Sequence, residues 1–191
     1  FKVKSVYDDT LAPSDRDEMW NKVIDNFKDG TSDEISTRLS YVVPWGKMIR
    51  RELVMSLNIR FDEVIAANDV MFSTKVGMTA KNFSACGEIV YVVTTRAGSL
   101  ANRRDFEVVK SRYLVAMRRN IYVKENGYRN KQGSIMIYLY SALKFGIRPF
   151  LNFCWLAIKN KQNPFIGYKN WFKTFRNNKK ESRVNKRYIT H

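Results

Sequence analysis

The chain has 191 residues, 45% hydrophobic and 14% aromatic; that excludes wholesale disorder and allows one domain with a proper core, or a small domain with an appendage. The sole histidine is the terminal His191, and Cys86 and Cys154 lie far apart. This excludes serine–histidine or cysteine–histidine catalysis and leaves no zinc-ligand spacing. The formal charge of +16 points to a polyanionic partner: a membrane surface, a nucleic acid or a phosphate-bearing substrate.

That charge is spread unevenly. Residues 1–95 carry 12 Lys+Arg against 14 Asp+Glu, and residues 96–191 carry 22 against 4, so the whole excess belongs to the second half. Phe1 is not an initiator methionine, so the sequence reads as starting inside a longer protein, and nothing near it resembles a signal peptide. The two cysteines sit in apolar settings and read as buried free thiols of a reducing cytoplasm.

In chain order, residues 1–9 alternate weakly (Phe1, Val3, Val6) and read as the end of a strand. Pro13-Ser14 followed by Asp17 predicts a helix start, with the serine as cap and the acid in the first turn. Met19, Trp20, Val23, Ile24 and Phe27 then recur at helical spacing up to a stop at Gly30. Trp45, Ile49, Leu53 and Leu57 trace one face of a second helix. A third begins near Asp69 and buries Phe72 and Val76. The apolar run Ile89–Val93 is short enough for a buried strand.

Beyond Ser99 the texture turns helical and basic. Phe106, Val109, Tyr113, Met117 and Ile121 form a long stripe. A loop at Asn126-Gly127 leads to helical segments over 135–145, 149–158 and 165–175. The dozen residues from Lys179 read as a frayed basic end.

Three segments in fixed order carry a family resemblance. The first is Trp45-Gly46-Lys47-Met48-Ile49-Arg50-Arg51. The second is Asn68-Asp69-Val70-Met71-Phe72, and the third runs from Tyr91 through Arg96 to Gly98-Ser99. Together they resemble the acceptor-binding half of a family 2 glycosyltransferase, an inverting enzyme of the GT-A fold. Two departures stand out: Asn68 occupies a position commonly held by Glu, and Thr94 one commonly held by a basic residue. The resemblance covers about residues 40 to 100.

The resemblance implies an α/β fold: a partial, Rossmann-like GT-A catalytic domain lacking its N-terminal nucleotide-binding half, followed by a helical basic extension. The corresponding boundaries are 1–101 for the catalytic part, 102–178 for the helical extension and 179–191 for a disordered basic tail. It also implies a sugar transferred from a nucleotide-sugar to a saccharide or lipid-linked saccharide acceptor, in building a bacterial surface polysaccharide such as a capsule. Mg²⁺ or Mn²⁺ would be held by residues outside this chain, which alone would be inactive.

Inversion needs a carboxylate that takes the acceptor hydroxyl's proton as the oxygen attacks the anomeric carbon, and the resemblance gives that role to Asp69. The plainer alternative is that Asn68 or Asp69 merely caps a helix. Trp45 and Lys47 would wall the sugar site, with Asn68 and Ser99 among the substrate contacts and Arg96 meeting the donor diphosphate. The alternatives are a core tryptophan, a solvated lysine and an ordinary loop arginine. Asp8-Asp9 imitates an Asp-X-Asp metal motif, but Phe1-Lys2-Val3-Lys4 is not the apolar strand that delivers one, and the interval to Asp69 is short. No metal site is assigned to this chain.

The stretch from Ile135 to Ile158 is broken by Lys144, Arg148 and Pro149, which excludes a spanning helix of roughly twenty uninterrupted apolar residues. Helices bearing Trp155, Trp171, Phe172 and Phe175 among lysines fit an anionic membrane surface, placing the protein in the cytoplasm at the inner face of the membrane. A basic nucleic-acid-binding module without catalysis is the competing reading, the less favoured of the two. A helical subdomain with a solvated basic face is the third.

Overall fold

A computed structural model describes residues 1–96 and 98–168. The expected helix over 165–175 falls mostly outside the described residues, as do Trp171, Phe172, Phe175 and the basic segment from Lys179. The chain is mixed α/β and divides into two compact units, Phe1–Ser111 and Arg112–His191.

The first unit is built on two parallel strands, β1 (Lys2–Tyr7) and β2 (Ile89–Thr95), with Val3 opposite Tyr91 and Ser5 opposite Val93. Between them come the helices α1 (Glu18–Lys28), α2 (Glu34–Ser40), α3 (Arg51–Ser56) and α4 (Asn68–Thr79). One face of the sheet buries Val3, Ser5 and Val93. The outer edge of β1 is closed by side chains from α1 and the segment ahead of it. The Asn21 carboxamide accepts from the Val3 amide at 2.9 Å and donates to the Val3 carbonyl at 2.8 Å, as a neighbouring strand would. Ser5 Oγ lies 2.8 Å from the Ser14 carbonyl and 2.6 Å from the Asp17 carboxylate, two acceptors for its single proton.

Several expectations need correction. Ser14 does not cap α1; Asp17 holds the cap position without a side-chain bond to the helix's free amides, and the Ser14 hydroxyl faces Ser5 instead. The helix expected from Trp45 to Leu57 shrinks to α3. Gly46 adopts a left-handed φ of +69° that no helix continues through, and Trp45 turns into an aromatic cluster instead. Ile49 and Leu53 still pack together, against Ile59, Phe72 and Val76, while Leu57 is exposed.

The strand β2 forms where expected but is not buried. Ile89 to Val92 are all exposed, with Val90 at 54% and Val92 at 53%, and only Val93 is enclosed. The register slips at Val90, which has no partner on β1 because Lys2 pairs with Ile89 and Val3 with Tyr91, and among the described residues no third strand pairs with β2. The two cysteines are free but half-buried rather than buried.

The long helix α5 (Phe106–Glu125) leads out of the first unit. The second unit continues with α6 (Met136–Leu143) and α7 (Ile147–Lys159), which pack on each other. Its core holds Tyr113, Ile135, Leu139, Ala142, Phe153 and Ala157. The Tyr113 ring stacks on Phe153 at 4.2 Å, and its hydroxyl donates to the Phe153 carbonyl. Asn120 seals the turn before α6 by exchanging hydrogen bonds with the Gly133 backbone, both 2.8 Å. No described helix is long and apolar enough to cross a membrane.

Candidate active site

The start of α4 fixes Asp69. Ala67 holds the cap position in the left-handed region (φ 64°, ψ 32°) and supplies no side-chain cap. Such a backbone is costly for a residue with a Cβ, so its surroundings must hold it. Ser111, on the first turns of α5, does so: its hydroxyl donates to the Ala66 carbonyl at 3.0 Å and accepts from the Ala66 amide at 3.1 Å. On the helix side, Phe72 stacks on Phe61 at 4.2 Å. Asn68 opens the helix with an exposed side chain, and its carbonyl accepts from the Asp62 amide at 3.0 Å. Neither Asn68 nor Asp69 is therefore the residue that caps α4.

Asp69 stands half-buried in the first turn. Burial pushes its carboxyl above the ordinary aspartate range; its own backbone amide and the Lys47 ammonium pull the other way without cancelling that effect. Burial likewise pushes Lys47 down to about 8, with Asp69 opposing. A carboxylate with a raised pKa is a stronger proton acceptor than a surface aspartate. The Lys47 charge favours its ionised form.

The lysine is held from below. Its Nζ donates to the Tyr41 carbonyl and lies 5.3 Å from the Tyr41 ring centroid. Gly46, beside it in sequence, packs closely against the hydroxyl end of Tyr41. A Cβ there would stand 2.6 Å from the Tyr41 hydroxyl oxygen and 2.9 Å from Val3 Cγ1. Tyr41 is itself buried, and that burial raises its phenol to about 12. Trp45 stacks on Tyr91 at 6.2 Å and meets Trp20 edge-on at 5.8 Å. It is half-buried, an aromatic surface tied to β2 on one side and α1 on the other.

Of the residues singled out from sequence, Trp45, Lys47 and Asp69 thus fall into one linked region. Arg96 and Ser99 form a separate turn after β2. There the Arg96 carbonyl accepts from the Ser99 amide at 3.4 Å and from the Asn102 side chain at 3.3 Å. The Arg96 side chain is exposed, while the Ser99 hydroxyl is buried without a partner. Among the described residues, no hydrogen bond, ion pair or ring contact joins this turn to Asp69 or Lys47. Nor does any group of three or more His, Cys, Asp or Glu side chains among them suit a metal ion.

Sequence reading missed Tyr41, Ser111 and Asn21. Each acts on distant backbone, and nothing in its local pattern announces that. No family model, curated protein or solved structure matches the chain.

Proposed function

We propose that this chain is the acceptor-side part of an inverting glycosyltransferase of family 2 with a GT-A fold, and that Asp69 is its general base. The observation that carries the reading is the coupling of Asp69 to Lys47. Asp69 is a half-buried carboxylate in the first turn of α4 that does not cap the helix and is raised by burial. A half-buried lysine stands near enough to favour its ionised form without an ion pair between them, which supports proton removal from a hydroxyl.

In the proposed step, Asp69 takes the acceptor hydroxyl's proton while that oxygen bonds to the anomeric carbon and the nucleotide diphosphate departs from the opposite face. Lys47 favours the ionised carboxylate, and the Trp45–Tyr91 stack offers an apolar wall to a sugar ring. Asn68, at the helix start, and Arg96 and Ser99, in the turn after β2, complete the substrate contacts, with Arg96 toward the donor diphosphate. Mg²⁺ or Mn²⁺ would neutralise that diphosphate, with ligands outside this chain.

The uncovered face of β2 supports the partial-domain reading. Parallel sheets are ordinarily covered on both faces, whereas Val90 and Val92 face solvent here. The remaining elements of a GT-A core would extend the sheet and lay helices over such a face. The acceptor is a saccharide or lipid-linked saccharide of a bacterial surface polysaccharide, and the setting is the cytoplasmic face of the membrane, with an anionic lipid surface as a further partner.

Asp69→Asn in the longer enzyme tests the reading. Turnover should fall by about 10²–10⁴, the usual contribution of a general base, with donor affinity and thermal stability near wild type. An Asn variant that keeps near-normal turnover overturns it.

A further inference from the structure

The helix α7 has three distinct sides. Phe153 and Ala157 are buried against the unit's core. Ile147, Leu151, Trp155 and Ile158, at steps of four, four and three residues, form an unbroken apolar stripe on another side, exposed by 60, 57, 55 and 64%. Arg148, Asn152 and Lys159 line the flank of that stripe. A helix sheds its apolar face into a core or leaves it polar; here one face is already spent and a second apolar face remains outside.

The neighbouring α6 extends the surface with exposed Ile137, Tyr140 and Leu143. Cations sit over its rings: Lys144 lies 5.5 Å from the Tyr140 centroid and Lys159 4.9 Å from that of Trp155. From residue 127 to 168 the sequence holds no Asp or Glu, so the surface is cationic and apolar with no anion to balance it.

We infer that the stripe on α7, rimmed by Arg148, Lys159 and Lys144, is the surface by which this protein docks on an anionic phospholipid bilayer. The helix lies in the plane of the interface. A protein partner would need matching acids and a shaped groove. A bilayer needs only apolar side chains at headgroup depth, an amphipathic indole and flanking cations, and all three are present. The helical backbone is already hydrogen-bonded internally, so it adds no cost on entering a low-dielectric layer, while the flanking cations stay at headgroup level. The inference deepens the membrane part of the proposal above and is independent of the glycosyl-transfer part.

The test is co-sedimentation of the 191-residue chain with phosphatidylcholine vesicles of increasing phosphatidylglycerol content. Binding should rise with anionic lipid and weaken with salt. The doubles Leu151→Ser/Trp155→Ala and Arg148→Gln/Lys159→Gln should each weaken it by roughly tenfold or more, with unchanged circular dichroism. Trp155→Phe should keep binding but lose part of the fluorescence quenching caused by brominated lipid. Binding that ignores the 151/155 and 148/159 changes would overturn this surface and leave another region as the membrane contact. Absence of binding, stripping by excess single-stranded oligonucleotide, or loss of self-association in the doubles without lipid binding would overturn the membrane reading altogether.

Discussion

Two regions expose large apolar side chains, and they differ in what each still needs. On β2 the apolar residues lie on a parallel strand that no third strand pairs among the described residues. Such an edge wants hydrogen bonds as well as cover. On α7 the apolar stripe belongs to a helix whose backbone is satisfied, with cations beside it. That surface wants only an apolar layer with negative charge. On the two proposals above, the same exposure is met by polypeptide in the first unit and by lipid in the second.

The comparison breaks if β2 tolerates charge in every context. Val90→Lys with Val92→Lys should change the stability of this chain by less than about 0.5 kcal/mol, because both side chains already face water. In the longer enzyme proposed above, the same pair should cost several kcal/mol, because two charges would be buried without partners. Urea denaturation of both proteins measures the contrast. Equal and small costs would mean that nothing covers the sheet.

A pair of glycines, one in each unit, sharpens the difference between crowded and open backbone. Both have positive φ, +69° at Gly46 and +88° at Gly127. An added methyl at Gly46 meets Tyr41 and Val3 below 3.0 Å, whereas at Gly127 it meets nothing within 4 Å. Gly127→Ala should cost about 1 kcal/mol from backbone strain alone. Gly46→Ala should cost about 2–4 kcal/mol, since overpacking adds to the strain, and should loosen Lys47. Thermal denaturation of the two variants separates them.

Much of this was legible in the sequence, for identifiable reasons. The helices α1, α4, α5 and α7 carry apolar residues at helical spacing, and β2 is a valine-rich run; such local patterns survive whatever surrounds them. The helix α2 escaped notice because only Ile35 and Leu39 mark it. Its signal was the cap, where Asp33 Oδ1 accepts from the Ser36 amide at 2.8 Å. The Trp45–Leu57 helix failed at Gly46, whose left-handed φ serves a close approach to Tyr41 that spacing alone does not reveal. Burial of β2 was expected because apolar runs are usually covered, and cover is a property of neighbours rather than of the run. Asp69 could not be told from a cap until Ala67 and its Ser111 clamp were placed. Lys47, 22 residues earlier in the sequence, became its partner only through the fold.

The most direct measurement of the Asp69–Lys47 couple is the pH dependence of kcat/KM for acceptor in the longer enzyme, wild type against Lys47→Met. A base must be ionised, so activity should fall as pH drops through Asp69's raised pKa, at a pH above the ordinary aspartate value of about 3.9. Removing the ammonium takes away an interaction that favours the carboxylate, so in Lys47→Met that acid limb should move to still higher pH. Above about pH 8, where Lys47 gives up its proton, the wild type should converge on the methionine variant, because the ammonium no longer acts on the carboxylate. Profiles that superimpose, or an acid limb at the value of a free aspartate, would contradict the assignment of Asp69 and Lys47 as the working pair.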